Sequence, residues 1–122
     1  MFPIVYFVYL EDFDMSLRIA LRGLQVYFLS EARIVHLGGG TSRQVLDRRL
    51  FYSLQSRLLF ARKHFSSGAS VLVVLSTAVL EPFTRLANCL LSGDLQGCAY
   101  TLRAYRMLCA ALPRILSVRA SP

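Results

Sequence analysis

Glu11-Asp12-Phe13-Asp14 places three carboxylates at the head of a segment with helical spacing, and Arg18 follows Asp14 by four residues. A helix start is where free backbone N–H groups and the macrodipole favour negative charge, so carboxylates are stabilised there. Asp14 and Arg18 share a helix face and can pair. Asp12 lies about 200° around the helix from Asp14, which leaves the two free to do different work. Further on, His36 closes an apolar run, and Gly38-Gly39-Gly40-Thr41-Ser42-Arg43 follows it. Glycines let backbone N–H groups approach an oxyanion, and an imidazole beside them can ligate a metal or touch a diphosphate. Each of these features has a plainer reading. The acids serve as helix capping with a surface ion pair, His36 as a packed histidine, and the glycines as a connector.

These residues need a scaffold. Residues 1–10 are apolar, lack a basic leader and a small-residue cleavage site, and run directly into acids, so they read as a buried strand rather than a signal peptide. Phe13, Leu17, Ala20, Leu21 and Leu24 recur at helical spacing, with Gly23 as the exit. The β-branched and aromatic runs 26–29 and 33–37 read as a pair of short strands. Beyond the glycines the pattern is helical: about residues 43 to 64, 69 to 91 with a kink at Pro82, and 94 to 112.

In order and spacing, Glu11-Asp12-x-Asp14, the Ile34-Val35-His36 strand end, the Gly38–Gly40 run and the later Arg62-Lys63-His64 resemble the second half of the catalytic domain of family 2 glycosyltransferases, the GT-A-fold enzymes. The likeness is greatest to the rhamnosyltransferase-type branch that builds bacterial surface polysaccharides. It implies an α+β fragment, the C-terminal part of a GT-A α/β domain with few short strands over residues 1–65, and a helical, amphipathic tail over 66–122. It also implies inverting transfer of a sugar from a nucleotide-sugar donor to a glycan or lipid-linked acceptor. Asp12 becomes the catalytic base, and Glu11, Asp14 and Arg18 its acceptor contacts and framework. His36 becomes a ligand of a divalent Mg or Mn ion, and Gly38, Gly39, Gly40, Thr41, Ser42 and Arg43 a loop at the nucleotide diphosphate. The Asp12-x-Asp14 spacing also matches a metal-binding Asp-x-Asp, a reading set aside because Ser16-Leu17-Arg18 follows at helical spacing. The chain contains no Trp, which removes the Gln-x-x-Arg-Trp motif of processive synthases.

A chain of 122 residues is short for this design, since a full domain of that kind runs to roughly 200 residues or more. The expectation is a portion of a larger enzyme, inactive alone, with the donor-binding half supplied elsewhere, including from a separately encoded partner. A non-enzymatic protein that keeps the scaffold to bind a membrane or a partner is the rival reading.

Charge divides the chain. Residues 1–36 carry four acids against three arginines, whereas residues 37–122 carry three acids against eleven basic groups. Near the C-terminus Arg103, Arg106 and Arg114 fall within an arc of about 80°, opposite Tyr105, Leu108, Cys109, Leu112 and Leu116. Such a helix suits an anionic membrane surface, with arginines at headgroup level, and equally suits packing on a parent domain with the arginines in water. The membrane reading places the protein in the cytoplasm, peripheral on the inner face of the cell membrane. Nucleic acid is not an expected partner, because the bases alternate with aliphatic residues rather than with an exposed stacking surface. Cys89, Cys98 and Cys109 match no zinc or redox spacing and fit a reducing compartment.

Overall fold

The computed structural model describes residues 9–35 and 45–118. Five α-helices make up the fold: α1 (Glu11–Leu21), α2 (Leu46–His64), α3 (Ser67–Leu75), α4 (Glu81–Leu91) and α5 (Leu95–Ser117), with a π-helical turn at Ser76–Leu80 joining α3 to α4. Among the described residues 77% are helical and no strand occurs. This overturns the expected α+β, GT-A-type fragment. The runs 26–29 and 33–35 are irregular, and their side chains lie in solvent: Phe28 is 92% exposed, Ile34 and Val35 each 90%. Strand propensity describes how well a side chain fits a paired, half-buried surface. With no ladder partner among the described residues, these apolar runs form no sheet. Of the expected first strand, Tyr9 and Leu10 are described, and both take left-handed backbone angles (φ 69° and 63°) instead of extended ones.

The core lies between α2 and α5. Leu54, Leu58 and Leu59 of α2 meet Tyr105, Leu108 and Ile115 of α5, and Leu54, Leu58 and Leu108 are wholly buried. α3 packs on α2 and α4 on α5, so one core joins elements from both sides of residue 65. Local signals set the boundaries. Asp94 caps α5 by accepting from the Gly97 N–H at 2.8 Å, and Gly93 supplies the left-handed turn (φ 68°) before it. Gly23 (φ 71°) performs the same exit after α1.

Ser67–Leu91 is one continuous helical stretch. Pro82 has no N–H to offer the carbonyl four residues upstream, and the preceding turn widens so that the Glu81 N–H bonds to Ser76 O in the π register. The expected kink at Pro82 is thus expressed as a π turn immediately before it.

Candidate functional site

Residues around the start of α1 are strung along α2 by two polar anchors. Upstream, the Arg49 Nε–H donates to Tyr9 Oη at 3.0 Å. Downstream, the Asp14 carboxylate accepts from Lys63 Nζ at 2.7 and 2.9 Å, and His64 Nε2 stands 2.5 Å from Asp14 Oδ1. Arg49 and Lys63 are separated by 14 positions of α2, a rise of about 21 Å. Glu11 and Asp12 therefore sit between two fixed points, directly after the strained left-handed pair Tyr9 and Leu10.

Asp14 is the one buried residue of α1, at 5% exposure. Burial alone acts to raise its pKa. The hydrogen bonds and charges of Lys63 and His64 outweigh burial and hold the carboxyl below its ordinary value. Arg18 adds a longer contact, its guanidinium lying 3.7 Å from Asp14 Oδ2, as the four-residue spacing anticipated. The His64 ring leans on Phe60 at a centroid distance of 4.7 Å, which fixes the imidazole against the end of α2.

The three acids meet different surroundings. Glu11 and Asp12 are exposed at the helix N-terminus, and Asp14 is clasped. A carboxylate in the position of Asp12 is open to an incoming hydroxyl, whereas that of Asp14 is committed to cations and serves as a fastener. The pairing of Asp14 with Lys63 and His64 joins residues 49 and 50 positions apart, a relation that no local spacing encodes.

His36, Gly38, Gly39, Gly40, Thr41, Ser42 and Arg43 lie outside the described residues. Among the described residues no three His, Cys, Asp or Glu side chains converge in a way that could hold a metal ion. Arg103, Arg106 and Arg114 are exposed on α5, and of the apolar face opposite them Tyr105 and Leu108 are buried in the core with α2, Leu112 packs against it, and Cys109 and Leu116 are exposed. Most of that face is spent on the core.

An open cleft of about 320 Å³ lies beside the upstream anchor, lined by Tyr9, Leu46, Arg49, Leu50, Ser53 and Arg85. Next to it, Glu81 binds Arg57 at 2.5 Å and Arg85 at 2.7 Å. Burial pushes the Tyr105 phenol up to about 12, and the nearby Glu81 charge adds to the shift.

Comparison with known proteins finds no matching family model, no similar curated protein and no similar solved structure.

Proposed function

We propose that this chain is the acceptor-side portion of a glycosyltransferase that moves a sugar from a nucleotide carrier to a glycan or lipid-linked hydroxyl with inversion, in the manner of the family 2 enzymes its motifs resemble. The observation that carries this reading is the division of labour within Glu11-Asp12-Phe13-Asp14: Asp12 is left open at a helix N-terminus while Asp14, two residues on, is fastened to Lys63 and His64. Asp12 takes the proton of the acceptor hydroxyl as its oxygen attacks the anomeric carbon. The bond from that carbon to the nucleotide diphosphate breaks, and the diphosphate leaves with the electron pair. Glu11 keeps the helix start anionic, and Arg18 with the Lys63–His64 clasp holds the backbone that carries Asp12. Donor binding, and any metal that serves it, belongs to residues other than the described ones. Bacterial surface-polysaccharide synthesis is the setting that the resemblance suggests.

The test is reconstitution of the chain with a nucleotide-sugar-binding half, followed by radiolabelled sugar transfer. An amide cannot accept the proton, so Asp12→Asn lowers turnover by roughly 10²- to 10⁴-fold while donor affinity stays near wild type. Equal turnover by the variant removes Asp12 from the role of base.

A further inference from the structure

Helix Ser67–Leu91 turns large apolar side chains away from the bundle. Its inward side presents Ser70, Val73, Val74, Thr77 and Glu81, with Ser70 and Thr77 only 2% and 1% exposed. Its outward side presents Val71, Leu72, Leu75, Val79, Leu80 and Phe83, each more than half exposed, with Leu72 at 68% and Phe83 at 69%. A helix on the surface of a water-soluble bundle turns its apolar stripe to the core and its polar residues out. Here the most buried positions, Ser70 and Thr77, carry hydroxyls, Val73 and Val74 pack on the core beside them, and six apolar side chains between residues 71 and 83 face out. An apolar face about 18 Å long, from Val71 to Phe83, marks a surface with an occupant other than water.

The chemistry of the face selects that occupant. Protein interfaces centre on aromatic and arginine anchors with hydrogen bonds around them. These six residues are branched aliphatics and one phenylalanine, and the exposed hydroxyls beside them, Ser76 and Thr84, donate to the helix's own carbonyls at Val73 and Glu81. That is the composition of a surface facing lipid. The rest of the molecule carries the complementary charge, with eleven basic groups against three acids over residues 37–122, and exposed Arg103, Arg106 and Arg114 on α5.

By length and composition Ser67–Leu91 is sufficient to cross a bilayer, and only 11% of its most apolar window is buried in the fold. Its packing argues for a different placement. α3 lies on α2, which carries Arg57, Arg62 and Lys63, and α4 lies on α5, so a spanning helix would have to take those charges into hydrocarbon or abandon the core. We propose that the outward face of Ser67–Leu91 docks into the headgroup–hydrocarbon boundary of an anionic lipid layer, with the helix lying in the plane of that layer. The inward Arg57–Glu81–Arg85 cluster then stays on the protein side, and the bundle rides on the surface. This inference does not depend on the glycosyltransferase reading.

The purified chain is sedimented with vesicles of phosphatidylcholine alone or mixed with phosphatidylglycerol, across a salt series. The wild type binds the anionic vesicles and is released as salt rises. A triple variant, Leu72→Glu, Leu75→Glu and Phe83→Glu, removes exposed apolar groups only, so it keeps its helical circular dichroism and melting temperature and loses roughly tenfold or more of its vesicle partitioning. Phe83→Trp gives an emission that shifts to the blue and is quenched by brominated lipid chains. Absence of binding to anionic vesicles, or wild-type binding by a folded triple variant, overturns the proposal. A lipid-free dimer that the triple variant converts to monomer also overturns it, by assigning the face to a second copy.

Discussion

Two aspartates of one helix, two positions apart, are turned into different chemical objects by what faces them. Asp12 meets water, and Asp14 meets an ammonium, an imidazole and a guanidinium. Replacing the Asp14 carboxylate by an amide leaves Lys63 and His64 without a negative charge between them, and the Lys63 side chain is 23% exposed, so solvent recovers part of the loss. Asp14→Asn should therefore cost about 2 kcal/mol, below the range for a fully buried pair. The pH dependence has a definite sign. A carboxyl whose folded pKa lies below its unfolded value contributes in full above that unfolded value, here 3.8, and loses the contribution as pH falls through the folded pKa. Thermal melts at pH 5.5 should separate wild type from Asp14→Asn, and the gap should close as pH drops below about 4. A gap of constant size across that range means that Asp14 acts through shape and not through its charge.

At the scale of elements, the helices after residue 45 were the most legible part of the chain, because most of their boundaries are written in residues that act locally. The expected end near Leu112 is the exception, since α5 continues through Pro113 to Ser117. Asp94 caps, Gly93 and Gly23 turn, and Pro82 perturbs one turn upstream of itself. Their orientation was less legible. The arginine arc of α5 invited a membrane-facing reading for its apolar side, yet Tyr105 and Leu108 pack against α2, and the exposed apolar face belongs to Ser67–Leu91 instead. Periodicity locates a stripe without saying what covers it, and an outward apolar face is visible only once the neighbours are in place. The cap is the simplest element-level test. Asp94→Ala removes the acceptor of the Gly97 N–H and should lower stability by about 1 kcal/mol, with fraying confined to the first turn of α5. Hydrogen exchange should show faster exchange at residues 96–98 and unchanged protection at residue 108.

At the scale of the whole molecule, the candidate site was half legible. The acids, Arg18 and the Lys63–His64 pair could each be named from the sequence, but their meeting depends on the start of α1 reaching the end of α2, a relation between segments about 50 residues apart. The expected strands failed for a related reason. Residues 26–29 and 33–35 have the right composition, and pairing is a property of two segments together. Nothing among the described residues pairs with them, so their apolar side chains contribute exposure and no core. This contrast separates a helical bundle from a sheet-based fold by experiment. Leu108 is wholly buried between α5 and α2, and Leu108→Ala should cost about 2–5 kcal/mol through lost burial and an unfilled cavity. Phe28 carries a larger apolar side chain but is 92% exposed, so Phe28→Ser should change stability by less than about 0.5 kcal/mol. Chemical denaturation of both variants checks the ordering. A sheet that used residues 26–29 as a buried strand would reverse it, because the phenylalanine would then be a core residue and its loss the costlier of the two.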